Sequence, residues 1–158
     1  MKHLHASDLI ELCIKLARYK KENKDYLDYL LFSASDRDRY LNDIKSDMEL
    51  QFGSIDPAQN LYYIKKSLRK IQRSLNRFSK YFNDKAFTVE LHLHYCKCLK
   101  NSNIPFRKSQ QLVQLYEREL IRILSLVSSL HEDLRADYAG LLEELQIKDD
   151  NDQAWLEK

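Results

Sequence analysis

Glycine and proline are scarce in this chain, and that scarcity is the strongest constraint on its fold. Only two glycines, Gly53 and Gly140, and two prolines, Pro57 and Pro105, occur in 158 residues. The tight turns that join β-strands draw heavily on these residue types. We therefore predict an all-α fold of six to seven antiparallel helices, arranged as a helical bundle or a short α-solenoid of helical repeats.

The same scarcity excludes several kinds of functional site. Two glycines 87 positions apart cannot form a dinucleotide-binding or Walker A loop, because both loops need several glycines for close approach to phosphate. The sequence also lacks the G-x-S-x-G and H-E-x-x-H motifs. We assign no catalytic, cofactor-binding or metal-binding residues from motifs, expect no cofactor, and predict that the protein is not an enzyme.

The cysteines and the chain termini bear on location and domain organisation. Cys13, Cys96 and Cys98 form an odd set without a C-x-x-C pair, which favours reduced thiols and a cytoplasmic protein. Residues 1–17 lack the apolar run of a signal peptide, and no run approaches the ~20 residues of a membrane helix. We predict one helical domain over residues 1–147 and an acidic, flexible tail over residues 148–158.

Residues 57–81 carry the clearest helical pattern. Asp56 and Pro57 suit the N-cap and the first helical position. One apolar stripe follows at a strict 3-4 spacing: Leu61, Ile64, Leu68, Ile71, Leu75 and Phe78. A second stripe runs in phase from residue 106 to about residue 147, as one helix or two. A possible capping box at Ser129 and Glu132 favours a break there.

Four stretches are similar to an uncharacterised bacterial family of all-helical domains with a HEAT-like, helical-repeat organisation. They are Ser7–Leu12, Tyr26–Phe32, Ile64–Leu68 and Val89–Leu91. The resemblance implies a helical fold. It implies no activity and no functional residues, because the family has no assigned function.

The predicted helix over residues 57–81 has a uniformly basic face. Seven basic residues and no acidic residue lie between Pro57 and Asn83. At ~100° per residue they fall within an arc of about 140°, opposite the apolar stripe. With Tyr62 in the same arc, the candidate surface for an anionic partner consists of Tyr62, Lys65, Lys66, Arg69, Lys70, Arg73, Arg77 and Lys80.

Three interpretations of this face stay open. The face could simply be solvated or internally neutralised: residues 132–158 hold nine acidic and three basic residues, so the last helix or the tail could lie over it, within one chain or between two chains. Alternatively, the face could bind a nucleic acid, which rewards Lys and Arg through counterion release, or an acidic protein. Membrane binding is not predicted, because the apolar stripe is needed for the core.

Residues 88–99 contain an unusual set of histidines and cysteines: His92, His94, Cys96 and Cys98. A strand would place all four on one face, in a row suited to Zn²⁺. We predict a buried helix instead, because no partner strand is visible. On a helix the pairs His92/Cys96 and His94/Cys98 lie on nearly opposite sides. A metal site would then need further ligands, and the candidates are His3, His5, Cys13 and His131.

Two single residues complete the prediction. Glu119 lies inside an apolar stripe and needs a partner, for which we expect Arg122 or a basic residue of another helix. Trp155, the only tryptophan, is either an anchor for a partner or part of a loose tail.

The leading functional hypothesis is a non-enzymatic protein–protein interaction or scaffold module, with a protein partner or self-association. The second is a nucleic-acid-binding accessory protein that uses the basic face. The third is a metal or redox role for residues 92–98.

Overall fold

All the regular secondary structure of the residues that the structure describes is helical, which confirms the predicted all-α fold. The computed structural model describes residues 4–33 and 36–145; the predicted tail at 148–158 lies outside this range. The helices of these ranges are α1 (Ala6–Tyr19), α2 (Lys21–Asp28), α3 (Arg37–Gly53), α4 (Leu61–Phe82), α5 (Lys85–Asn101), α6 (Gln110–Ser128) and α7 (Glu132–Leu145). A π-helical turn at Tyr29–Ser33 follows α2, and a 3-10 turn at Phe106–Lys108 precedes α6.

The chain forms two compact units, which divide after Asn42. In the first unit, α1 and α2 form a hairpin joined by a single extended residue, Lys20. The Asn23 side chain donates to the Leu16 carbonyl oxygen over 2.8 Å. Because Leu16 lies in the last turn of α1, this bond satisfies a carbonyl that the helix itself leaves free.

Few side chains of the first unit are buried. Tyr29 is buried, and its ring centroid lies 6.2 Å from that of Tyr26 and 5.2 Å from that of Tyr40. No residue of α1 is buried. The apolar stripe of α1 is therefore left largely open, although its spacing is that of a helix packed on a core.

In the second unit, side-chain contacts fix the direction of each helix. Hydrogen bonds join residues of α4 to residues 46 or 47 positions later in α6, so these two helices run parallel. The pairs Lys45/Glu90 and Glu49/His94 have a constant offset of 45, so α3 and α5 are also parallel. Helix α5 is antiparallel to α4, to which two residues connect it, and α7 packs against α5 and α6.

Helix α5 lies at the centre of this unit, as its nearly all-round apolar sequence predicts. Its buried residues point in every direction around the axis: Phe87, Thr88, Val89, Leu91, His92, Leu93, Tyr95, Cys96 and Leu99. Asp84 caps the helix through the backbone N–H of Ala86, at 2.8 Å. The preceding Asn83 adopts the left-handed conformation, with φ 48°, which Asn tolerates better than most residues.

The boundaries near residues 57 and 129 test the sequence predictions. The predicted helix start at Asp56-Pro57 is wrong: residues 56–59 form a turn in which Asp56 accepts from Ala58 N, and Asn60 caps α4. The predicted break near Ser129 is confirmed. Ser129 ends α6, however, where its hydroxyl donates to the Leu126 carbonyl.

Glu119 connects three helices through buried hydrogen bonds. Its Oε2 lies 2.7 Å from Nδ1 of His92 on α5, and its Oε1 accepts from the Gln72 amide of α4 over 2.8 Å. The prediction gave two options for this partner. Arg122 is wrong, because its guanidinium donates to Asn76 over 2.6 Å, whereas His92 of α5 meets the second option, a basic residue of another helix. Arg122 follows Glu119 by three positions, yet the carboxylate faces the core and the guanidinium is exposed.

We expect Glu119→Ala to lower the free energy of unfolding by about 2–4 kcal/mol, because His92 and Gln72 each lose a buried partner and a cavity forms. Denaturant unfolding followed by circular dichroism measures the change. Glu117→Ala is the matched control: it removes an exposed carboxylate of the same helix and should change stability by less than ~0.5 kcal/mol. Equal effects of the two substitutions would contradict the bridging role of Glu119.

Candidate polyanion-binding face

The eight residues of the predicted surface for an anionic partner all lie on α4, where the helix turns them away from the core. The opposite side of α4 buries Ile64, Leu68, Ile71 and Leu75. Five of the seven basic side chains are exposed: Lys66, Arg69, Lys70, Arg73 and Lys80. Lys65 and Arg77 are half-buried. The seven basic residues and Tyr62 therefore share one side of α4, and we call these eight residues the basic face.

The exposed cations of the basic face have no acidic neighbours to pair with in the second unit. Within residues 43–145, no carboxylate lies within ion-pair distance of Lys66, Arg69, Lys70, Arg73 or Lys80. The acidic helix α7 packs against α5 and α6. Neutralisation by residues 132–145 is therefore not seen, and residues 148–158 lie outside the described chain.

A groove of about 590 Å³ runs along the basic face. Its lining combines cations with neutral amides: Tyr62, Lys65, Lys66, Arg69, Gln72, Arg73 and Asn76. Gln72 and Asn76 are also held by α6, through Glu119 and Arg122. The groove thus offers charge for an anion beside two amides that are fixed by their hydrogen bonds to α6.

Sequence reasoning missed two contributors from α6 at the edge of this surface. Gln111 accepts from Lys65 Nζ, and Arg122 donates to Asn76 over 2.6 Å. The second bond places an exposed guanidinium beside the groove and so adds a cation from another helix. Both contacts join residues that are 46 positions apart in the sequence. This constant separation predicts a contact only once the parallel packing of α4 and α6 is known.

Aromatic side chains stand at the N-terminal end of the basic face. Tyr62 is 66% exposed and Tyr63 55% exposed, and their rings meet edge to face with centroids 5.4 Å apart. Exposed aromatic rings can stack on nucleobases. The first turn of α4 carries no acidic residue, so the positive end of the helix dipole adds to the field of the cations.

The histidines and cysteines of α5 lie on two sides of the helix, as helical geometry predicts. On one side, His92 contacts Glu119, and Cys96 is fully buried. On the other, His94 Nε2 lies 3.1 Å from Glu49 Oε1, and Cys98 is half-buried. Within the described ranges, no group of three or more His, Cys, Asp or Glu side chains is placed to hold a metal ion.

Burial suppresses the reactivity of both α5 thiols. The pKa of the Cys96 thiol is raised far above its usual value by burial and by the Glu119 carboxylate. Burial, with a contribution from Glu49, raises the pKa of Cys98 to about 11. The pKa of His94 is lowered by burial, which the Glu49 carboxylate partly opposes. Because the thiolate is the reactive form, the environments of these two cysteines disfavour redox chemistry of the thiols at neutral pH.

We expect a thiol reagent to modify Cys13 rapidly in the native protein and Cys96 and Cys98 slowly. Cys13 is exposed, whereas a pKa of about 11 leaves roughly one Cys98 thiol in ten thousand ionised at pH 7. Mass spectrometry after timed labelling gives the count, with unfolded protein as the control that exposes all three thiols. The rate at Cys98 should rise with pH towards 11. Rapid native labelling of Cys96 or Cys98 at pH 7 would support the redox hypothesis instead.

No helix in the described ranges is both long and apolar enough to cross a bilayer. Comparisons of the chain with protein-family models, with curated proteins and with solved structures find no match. The resemblance to a bacterial helical family therefore stays a prediction, and the geometry of the chain itself carries the functional argument.

Proposed function

We propose that this chain is a non-enzymatic binding module whose basic face binds the phosphate backbone of a nucleic acid. The observation that carries the proposal is the row of five exposed cations on α4 that no carboxylate of residues 43–145 neutralises. Unpaired Lys and Arg side chains release condensed counterions from a polyanion on binding, which favours association. The proposal adopts the second hypothesis drawn from the sequence, a nucleic-acid-binding accessory protein, in place of the leading one, a protein–protein interaction module.

The number of cations along α4 is close to the number of phosphates along an equal length of a nucleic-acid strand. From Lys65 to Lys80 the helix rises about 22 Å, at ~1.5 Å per residue. One strand of B-form DNA presents a phosphate every ~3.4 Å of helix axis, so the same length offers roughly six or seven phosphates. The face supplies five exposed cations over that length, with Lys65 and Arg77 half-buried beside them, and Arg122 adds one exposed cation from α6. The number of exposed cations is thus close to the number of phosphates.

The groups beside the cations favour single strands and sequence-independent contacts. Tyr62 and Tyr63 can stack on unpaired bases of any identity. Gln72 and Asn76, the amides that could read base edges, are already hydrogen-bonded to α6. We therefore expect affinity that depends steeply on salt and weakly on sequence. A cytoplasmic location, which the three free cysteines favour, would give access to RNA.

The direct test is fluorescence anisotropy with labelled single-stranded DNA and RNA at several salt concentrations. For five to seven contacts with a single strand we expect a log–log salt slope of about −3.5 to −5. The double substitution Arg69→Glu/Arg73→Glu should weaken binding at least ~tenfold and reduce the slope by about 1.4, because two phosphate contacts are lost. Both side chains are exposed, so the fold should persist.

Lys97→Glu/Lys108→Glu is the matched control, because it changes net charge equally at two exposed lysines outside α4. This control should leave the salt dependence of the binding constant nearly unchanged. Equal weakening by both double substitutions would show non-specific attraction and would contradict a role for the basic face. Polyglutamate that competes as well as DNA at equal charge would identify an acidic protein as the partner instead.

A further inference from the structure

The first unit presents an apolar surface that nothing in the preceding proposal uses. On α1, Leu9, Leu12 and Leu16 are 48%, 48% and 53% exposed. At ~100° per residue the three lie within an arc of about 60°, so they form one stripe along the helix. We call these three residues the leucine flank. A cluster of half-exposed leucines marks an interaction surface more often than scattered exposed leucines do.

Helix α2 packs against one edge of this flank and leaves the rest open. The two helices enclose an apolar groove of about 270 Å³, whose α1 wall consists of Cys13, Leu16 and Ala17. Leu16 therefore borders the contact with α2, whereas Leu9 and Leu12 do not line that groove. The first unit spans only 42 residues, a size at which chains bury little apolar surface and often depend on oligomerisation.

The charges beside the leucine flank indicate what covers it. Asp8 and Lys15 border the stripe on one side, the first near the start of α1 and the second one turn from its end. Lys15 also lies 2.7 Å from Glu11 of its own helix, an exposed pair that leaves its ammonium group accessible to a second carboxylate. A second copy of α1 in antiparallel orientation places Leu12 opposite Leu12 of the second copy and Leu9 opposite Leu16. The same register brings each Asp8 towards Lys15 of the other copy. A parallel two-fold arrangement would place Asp8 and Lys15 opposite the other border of the stripe, where Cys13 and Ala17 carry no charge, and so would form no such pair.

We propose that the leucine flank is the interface of an antiparallel, two-fold symmetric homodimer formed through α1. The surface is self-complementary in both apolar and charged residues, as a two-fold interface requires. A lipid surface fits less well. The polar side of α1 carries Asp8 and Glu11 as well as Lys15 and Arg18, whereas helices that lie on membranes are rich in Lys and Arg on that side.

Sedimentation velocity on the full chain over a range of concentrations tests the dimer. The native protein should sediment as a dimer, and Leu12→Glu should raise the dimer Kd roughly tenfold or more, because Leu12 lies on the symmetry axis. Ile10→Glu is the matched control on the other side of α1, where Ile10 is 62% exposed, and should leave the Kd nearly unchanged. Because both sites are exposed, neither substitution should unfold the chain.

Charge reversal tests the orientation. Asp8→Lys and Lys15→Asp should each weaken self-association, while an equimolar mixture of the two variants should form a heterodimer. The chain with both substitutions should dimerise again, and it controls for the loss of the Asp8 bond to the His5 backbone N–H. Disruption by Ile10→Glu but not Leu12→Glu, or a mixture that stays monomeric, would overturn the proposal.

A native monomer would also overturn it. Hydrogen exchange would then show whether another segment of the chain protects α1. Binding of the monomer to phosphatidylcholine vesicles would show that lipid covers the flank instead.

Discussion

The buried carboxylate of Glu119 is the constraint on which the second unit depends. A carboxylate in an apolar interior is tolerated only when its oxygens are hydrogen-bonded, and here one oxygen takes a partner from α5 and the other from α4. Burial of the apolar stripe of α4 sets which side of that helix faces solvent. The Glu119 bonds add a polar connection at the edge of the stripe, where Gln72 is half-buried, and so hold α4, α5 and α6 in one register.

The basic face is maintained against its own electrostatic repulsion. Pairs such as Lys65/Arg69, Lys66/Lys70 and Arg69/Arg73 stand four positions apart on α4, where like charges lower helix stability by about 0.2–0.5 kcal/mol each. One glutamate among them would relieve the repulsion, yet none occurs between Pro57 and Asn83. The deep apolar stripe of Ile64, Leu68, Ile71 and Leu75 compensates for this loss. A polyanionic partner would remove the repulsion altogether.

The features that follow from local helical periodicity were predicted from the sequence. The contacts between residues far apart in the chain were not. The apolar stripe of α4, the burial of α5 and the opposed pairs around His92 all follow from helical spacing. The partners of Glu119 did not, because Gln72 and His92 lie 47 and 27 positions away. The start of α4 was missed because Asp56 offers its carboxylate to a turn instead of a helix. The open leucines of α1 have the spacing of a core stripe, and only packing reveals that they stay exposed.

The two-residue connection between α4 and α5 has a consequence for the order of folding. Asn83 in the left-handed conformation and Asp84 at the helix cap turn the chain back immediately. Helix hairpins of this kind bring their contacts together across short loops, with little loss of chain entropy. We expect α4 and α5 to associate first and to present Gln72 and His92 together. Helix α6 would then dock on a preformed pair, where Glu119 finds both of its partners in place and selects the correct register.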